Sequence, residues 1–271
     1  MIDTRTTDVN SAQLHQDFNR DGFIIYQTPV LDAQLLDRAA QALMTVRAGT
    51  SDTGEEPASG WSHSTSPTVL TKIEQPQLAS HTLREVLANT LLGKIAAAAI
   101  GAQMVQVWWV QGLVKPGTQG EQAATTVGWH QDKTYWSDWQ PESELFTAWL
   151  ALSDVTEEAG PMVFVPGSHR WGMLPGGDFF AQDQVALRAA IKLPAGEQWT
   201  ERLDILPAGC VSLHHQQLFH GSNANHSASP RLSLAIHLRT ERSVPKSGSW
   251  VAKYLDRHEI CPVIHGASNA R

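Results

Sequence analysis

The sequence predicts a mainly β fold with flanking α-helices, in a single domain that spans all 271 residues. Apolar residues recur at helical spacing only in the amino-terminal part, before about residue 104. Short runs rich in β-branched and aromatic residues, separated by Gly, Pro and Asn, then follow up to about residue 240. Several short strands at this spacing are typical of a barrel or jelly roll. No linker or internal repeat divides the chain, so we expect helices packed on the outside of one β-barrel.

The amino-terminal part, about residues 1–104, predicts two helices. Apolar residues recur every three or four positions over 31–49 and again over 81–101. Ahead of them, "DFNRDGFIIYQTPV" predicts a helix end, a turn and a strand. Segment 50–66, between the two helices, is a polar loop rich in Gly and Ser and is a candidate lid.

The central part, about residues 105–240, predicts the strands of the barrel core. Candidate strands cover 105–115, 127–136, 145–155, 162–166, 203–206, 210–219 and 231–240. The carboxyl-terminal tail, 241–271, has no pattern that predicts a role.

The composition favours a globular cytoplasmic protein. Its 42% hydrophobic residues can fill a sizeable core, and its amino terminus is too polar for an export signal or a membrane span. A net charge of -7 provides no basic surface for nucleic acid. Cys210 and Cys261 lack the spacing of a zinc or redox site, which favours ordinary thiols. We therefore expect a small molecule as partner, and neither nucleic acid nor a membrane.

A histidine and a carboxylate lie two positions apart in "WHQDKTYW", residues 129–136. On a strand, His130 and Asp132 would point to the same face and could bind one metal ion. A chain of this composition contains such a pair by chance about as often as not, so a further ligand is needed. Candidates downstream are His214, His215, His220, His226 and His237. His220 is favoured because it ends a predicted strand just before a glycine.

An arginine follows His220 at a distance that predicts a hairpin. Residues 221–230 are turn formers, and strand alternation resumes at Arg231. We expect the two residues on neighbouring strands, where the guanidinium could clamp a carboxylate beyond a metal ion. Two histidines, one carboxylate and open coordination positions make up the facial triad of non-haem iron(II) oxygenases.

Four motifs resemble those of the phytanoyl-CoA dioxygenase family of iron(II)- and 2-oxoglutarate-dependent oxygenases. "WHQDKTYW" resembles its HxD strand, and "AGPMVFVPGSHRWG" resembles its PGSH loop. "HGSNANHSASPR" resembles its distal histidine and downstream arginine, and "FNRDGFIIY" its opening. The resemblance covers about residues 16–240 and implies a double-stranded β-helix, the cupin-like jelly roll.

The resemblance implies that His130, Asp132 and His220 bind iron(II) and that Arg231 holds the distal carboxylate of 2-oxoglutarate. It also implies cosubstrate contacts for Ser222, Gln111 and Trp149. Dioxygen is then the second cosubstrate, and succinate and carbon dioxide are products. Related halogenases carry a small residue in place of the carboxylate, so Asp132 favours hydroxylation or another oxidation of a small metabolite.

Aromatic residues around the HxD motif and in the polar loop predict a substrate pocket. They are Trp61, Trp129, Tyr135, Trp136 and Trp139. Such a pocket suits a ring-bearing or largely apolar substrate, such as a natural-product intermediate. We interpret Trp108 and Trp109 as core residues, His214 and His237 as structural, and Lys115 as a solvated charge at a strand end.

Two other functions stay open at this point. The triad can serve as the Lewis-acid site of a hydrolase or isomerase on the same fold, in which Arg231 has no cosubstrate to bind. The chain can also be a non-catalytic module that binds 2-oxoglutarate without turnover.

Overall fold

The structure, a computed structural model, describes residues 10–58, 68–118 and 125–267. Within these ranges the helices are α1 (Ser11–Asp21), α2 (Ala33–Arg47), α3 (His81–Leu87), α4 (Thr90–Ile100), α5 (Gln184–Ala190) and α6 (Ala252–Leu255). The strands are β1 (Phe23–Tyr26), β2 (Thr71–Glu74), β3 (Val105–Lys115), β4 (Val127–His130), β5 (Leu145–Ala151), β6 (Met162–Phe164), β7 (Arg202–Leu203), β8 (Val211–His215), β9 (His220–Ser222), β10 (Arg231–Thr240) and β11 (Val263–His265). Short 3-10 turns occur at Pro76–Leu78, Asp132–Tyr135 and Ser168–Trp171.

Two antiparallel sheets form the core. The larger has the order β1-β8-β5-β10-β3-β11, with β2 also paired to β3, and the smaller has the order β4-β9-β6-β7. Side chains of both sheets meet in one apolar cluster, in which Leu113 and Trp149 of the larger sheet join Met162 and Phe164 of the smaller. The predicted mainly β fold is therefore confirmed as a double-stranded β-helix.

Alternation along β10 separates the outer core from the interior of the barrel. Leu234 and Ile236 pack with residues of the amino-terminal helices, such as Leu43 of α2, in the largest apolar cluster. Ala235 belongs to the cluster between the sheets, and Arg231 and His237 line an interior cavity. The helices thus cover one face of the larger sheet and leave its other face for the site.

One of the two helix predictions is confirmed, and the other is wrong. The prediction over 31–49 is confirmed by α2, whose cap, Asp32, accepts a hydrogen bond from the Leu35 amide. The single helix predicted over 81–101 is instead two helices. Asn89 has extended backbone and accepts a hydrogen bond from the Leu92 amide, so it begins α4 as a new helix.

The strand predictions around the site need two corrections. The strand predicted over 127–136 ends at His130, and a 3-10 turn begins at Asp132. The hairpin predicted for His220 and Arg231 is wrong, because β9 lies in the smaller sheet and β10 in the larger. The turn-forming residues between them cross from one sheet to the other.

The tail has a structural role that its sequence does not predict. Its strand β11 pairs with β3 at the edge of the larger sheet. Gly93 of α4 lies against Ile264 of this strand, with no space for a Cβ atom between them. The candidate lid extends into residues 59–67, which lie outside the described residues. Among the helices described, none combines the length and apolar character needed to cross a membrane.

Candidate active site

Three potential metal ligands converge at the end of the smaller sheet. The ligand atoms of His130, Asp132 and His220 all lie within 4.8 Å of one another. Asp132 Oδ1 is 3.5 Å from His130 Nε2 and 3.6 Å from His220 Nε2. The two histidines are direct partners in the pairing of β4 with β9, and the 3-10 turn brings the carboxylate to them. The predicted triad therefore comes together through strand pairing and a turn, and not through alternation along one strand.

Hydrogen bonds to the backbone fix both imidazole rings. His130 Nδ1 is 2.8 Å from the Gly128 carbonyl oxygen, and His220 Nδ1 is 3.0 Å from the Leu218 carbonyl oxygen. Because a carbonyl only accepts, each Nδ1 carries the hydrogen. In the neutral ring, Nε2 is then left as a lone-pair donor toward Asp132, the tautomer that binds a metal ion.

The second oxygen of Asp132 is held by two neighbours. Oδ2 accepts hydrogen bonds from Thr147 Oγ1 at 2.8 Å and from His214 Nε2 at 3.1 Å. Thr147 is the direct pairing partner of His214 on β8 and of His237 on β10, so the three form a row across neighbouring strands. The sequence carries no signal for this support, because only strand register brings these residues together.

The charges of the cluster suit a divalent cation. Burial raises the pKa of Asp132, but three neighbouring histidines, His220 first, outweigh burial and hold that pKa well below its usual value. Burial, and then the neighbouring histidines, lower the pKa of His220 well below its usual value. A carboxylate and neutral imidazoles are the forms that bind a metal ion. Two nitrogens and one oxygen that leave coordination positions open fit iron(II).

A buried arginine lies in the same cavity as the triad. Arg231 is 2% exposed, and its guanidinium lies 4.9 Å from the centre of the Trp149 ring. Its Nη1 donates a hydrogen bond to the Gly160 carbonyl, and its Nε has no partner among the described residues. The structure brings all of the predicted cosubstrate residues to this cavity, which is lined by the triad, Arg231, Trp149, Gln111 and Ser222.

Lys115 is a second buried basic residue, and its prediction as a solvated charge is wrong. Its side chain is fully buried beside Arg231, its direct pairing partner on β10. Nζ donates hydrogen bonds to Ser222 Oγ at 2.6 Å and to the Asn223 carbonyl. Burial, and then the charge of Arg231, lower the pKa of Lys115 well below its usual value. Arg231, the buried cation that lines this end of the cavity, favours an anionic ligand there, and Lys115 supports that end through its hydrogen bond to Ser222.

A larger cavity of about 240 Å³ adjoins the triad. It meets the smaller one at five shared residues: Gln111, His130, Asp132, Phe179 and His237. Its aromatic wall consists of Trp108, Trp109, Tyr135, Trp136, Phe179, Phe180 and Trp250. An ion pair between Lys72 and Glu74 lies among the lining residues.

Two of the residues predicted for a substrate pocket line the larger cavity, and two do not. Tyr135 and Trp136 line the larger cavity. Trp129 and Trp139 line neither this cavity nor the smaller one, because each is buried in an apolar cluster behind the site. Trp61 lies outside the described residues.

A β-bulge explains why two successive tryptophans line one cavity. Trp109 pairs with His237 and Val107 pairs with Leu238, which leaves Trp108 without a partner on β10. The extra residue breaks the alternation, so both Trp108 and Trp109 reach the cavity. Their interpretation as core residues is therefore incomplete, and the bulge has no signal in the sequence.

Sequence comparison points to one family. The profile of the phytanoyl-CoA dioxygenase family matches residues 18–233. An ectoine dioxygenase of Bordetella parapertussis is 25% identical over 249 residues, which cover 84% of this chain and 74% of that protein. A probable alpha-ketoglutarate-dependent hypophosphite dioxygenase of Stutzerimonas stutzeri is 30% identical over 117 residues, 41% of this chain, and the match spans 38% of that relative's length.

Solved structures share the fold. The alpha-ketoglutarate-dependent epimerase SnoN from nogalamycin biosynthesis has a TM-score of 0.66 and 24% identity, over 87% of this chain and 85% of that chain. The carbocyclase SnoK from the same biosynthesis has a TM-score of 0.68 and 22% identity, over 93% of this chain and 95% of that chain. At this level of identity the likeness concerns the fold alone.

Proposed function

We propose, from the premise that this chain belongs to the phytanoyl-CoA dioxygenase family, that it hydroxylates, or otherwise oxidises, a small ring-bearing metabolite. Membership of the family makes the chain a 2-oxoglutarate-dependent non-haem iron dioxygenase, for which iron(II), 2-oxoglutarate and dioxygen are the cofactor and cosubstrates. One observation carries the proposal: the His-Asp-His cluster and a buried arginine line one cavity, and an aromatic cavity adjoins the cluster.

His130, Asp132 and His220 would hold the iron. When bound, iron and cosubstrate supply the redox chemistry, in which 2-oxoglutarate is decarboxylated to succinate and carbon dioxide while dioxygen is activated. The protein's part is to orient the three ligands through their hydrogen bonds and to exclude water from the site.

Arg231 would hold the distal carboxylate of 2-oxoglutarate through its planar guanidinium. Ser222, fixed by Lys115, lies at the same end of the cavity. The cavity measures about 50 Å³, which is below the usual range of ligand pockets. We therefore expect its side chains to move apart when the cosubstrate enters.

The aromatic wall of the larger cavity supports a ring-bearing substrate, because flat rings gain most when they pack against indole and phenyl groups. SnoN and SnoK belong to nogalamycin biosynthesis, which supports a natural-product intermediate as the substrate. A cytoplasmic location stays a prediction from composition.

Substrate-stimulated succinate release tests the proposal. Iron(II)-loaded enzyme would be incubated with 2-oxoglutarate, air and a panel of ring-bearing and open-chain compounds. We expect a ring-bearing compound to stimulate succinate formation, and Arg231→Ala to raise the KM for 2-oxoglutarate at least tenfold. Arg202→Ala, at an exposed position of β7, is the matched control. Metal-dependent turnover that needs neither 2-oxoglutarate nor Arg231 would instead favour the hydrolase or isomerase.

A further inference from the structure

We infer that the larger cavity recognises a hydroxyl group on its ring-bearing substrate, and that Nε2 of His237 accepts the hydrogen bond from this hydroxyl. The inference rests on the proposed function and specifies the substrate class of the same site. His237 lies on β10 where the two cavities meet, and it lines both. Its side chain is therefore placed to contact a substrate bound beside the triad.

The hydrogen-bond row across the sheet fixes which nitrogen of His237 carries the hydrogen. Thr147 has a single hydroxyl hydrogen, and it donates this hydrogen to Asp132 Oδ2 at 2.8 Å. The 2.9 Å contact between Thr147 Oγ1 and His237 Nδ1 must then be one in which the imidazole donates. Nδ1 is the protonated nitrogen, and in a neutral ring Nε2 is left as an acceptor.

The surroundings of the ring favour its neutral form and hold it in place. His237 is buried, and burial lowers its pKa to about 4. The ring packs at 5.6 Å from Trp108 and at 5.0 Å from Trp136, measured between ring centres. A ring held on two sides by indoles cannot turn Nε2 toward bulk water without losing these contacts.

The acceptor has no partner in the part of the chain that the structure describes. His237 Nε2 is buried and makes no hydrogen bond there, and a buried polar atom left in this state costs free energy. Nδ1 is already satisfied by Thr147. A donor from a bound substrate is the group that would complete the ring's hydrogen bonds.

A second unpartnered polar atom, on a ring that packs against His237, favours a hydroxyl as the donor. Trp108 Nε1 is buried and also lacks a partner among the described residues. Trp139, Trp149 and Trp171 have unpartnered indole nitrogens as well, so Trp108 alone carries no argument. Beside His237, however, it adds a donor to an acceptor. A hydroxyl can donate to the imidazole and accept from the indole, whereas an ether or a carbonyl can only accept.

Two ring compounds, one whose oxygen carries a hydrogen and one whose oxygen carries a methyl group instead, test the inference. We would measure the affinity of 2-naphthol and of 2-methoxynaphthalene by calorimetry, under anaerobic conditions with iron(II) and 2-oxoglutarate present. Wild type should prefer the naphthol about tenfold, because the ether leaves Nε2 unpaired. His237→Phe keeps an aromatic ring and removes the acceptor, so it should bind both compounds equally.

Two further variants separate the acceptor from the fold. His237→Gln can offer an amide oxygen and should keep part of the preference, while His265→Phe on β11 is the matched control and should keep all of it. Equal binding of the two compounds by wild type, no binding of either, or a preference that survives in His237→Phe would overturn the inference. The iron and 2-oxoglutarate charge-transfer absorption, recorded on the same samples, identifies failure of the proposed function, since only that failure abolishes the absorption in wild type.

Discussion

Thr147 donates a 2.8 Å hydrogen bond to Oδ2 of Asp132, the carboxylate oxygen that is not the one facing His130 and His220. Oδ2 also accepts a hydrogen bond from His214. Together the two bonds fix the carboxylate so that Oδ1 lies beside the Nε2 atoms of His130 and His220. The ligand geometry is thus set by residues of the larger sheet, although the histidine ligands come from the smaller one.

Replacing Thr147 should therefore weaken iron binding without removing a ligand. Thr147→Val keeps the shape of the side chain and loses the hydroxyl, and groups that orient metal ligands are worth about 10- to 100-fold in affinity. We expect the Kd for iron(II) to rise by about tenfold, measured by competition with a chelator. Thr45→Val, on α2, is the control. Equal affinity in Thr147→Val and wild type would contradict this role.

Gly128 allows the segment at 178–181 to dock beside the site. A Cβ atom at Gly128 would lie 2.2 Å from the Asp178 carbonyl oxygen, and the segment carries Phe179, whose ring lies 5.1 Å from that of His130. Gly128→Ala should lower the free energy of unfolding by about 1–3 kcal/mol, as for other overpacked positions. Urea denaturation measures this. Gly177→Ala, where the nearest atom would be at 3.1 Å, should cost less, and the reverse order would count against the account.

Asp204 should make the protein less stable as the pH rises. Burial raises its pKa from 3.8 to about 7, although Ser212 donates a hydrogen bond to it. The native state then binds more protons than the unfolded state between about pH 4 and 7, so the free energy of unfolding falls with pH in that window. The shift corresponds to at most about 4 kcal/mol.

Asp204→Asn removes this titration, so its stability relative to wild type should improve between pH 4 and pH 8. Denaturant unfolding at several pH values gives the comparison, and Asp256→Asn, at an exposed position, is the control. Parallel pH profiles for Asp204→Asn and wild type would show that Asp204 is ionised throughout.

Both cysteines should be unreactive in the native protein. Cys210 and Cys261 are free and buried, and burial raises the pKa of Cys261 to about 12. We expect a thiol reagent such as DTNB to modify neither residue in buffer and both in denaturant. Fast modification of the folded protein would mean that one of them is accessible.

The sequence was sufficient to predict the fold class, the bounds of the long strands and the residues of the triad. Strands β3 and β10 have the predicted bounds because long, largely apolar runs carry a strong local signal. The break at Asn89 and the end of β4 at His130 depend on a cap and a turn, which local periodicity does not resolve.

The supporting residues of the site could not be predicted. His214, Thr147 and His237 belong to three strands that are distant in the chain and meet only through register. The pairing of β3 with β10 likewise places Lys115 opposite Arg231, inside the fold. Local sequence patterns do not give the register between strands, so they predict neither the row of His214, Thr147 and His237 nor the pair of Lys115 and Arg231.

Anaerobic titration of the iron(II)-loaded protein with 2-oxoglutarate tests the central claim most directly. Wild type should develop the visible metal-to-ligand charge-transfer band. His220→Ala should lose this band, Arg231→Ala should require far more 2-oxoglutarate, and the exposed-histidine control His226→Ala should behave as wild type. Absence of the band in fully metallated wild type would contradict the assignment of the triad and Arg231 to an iron and 2-oxoglutarate site.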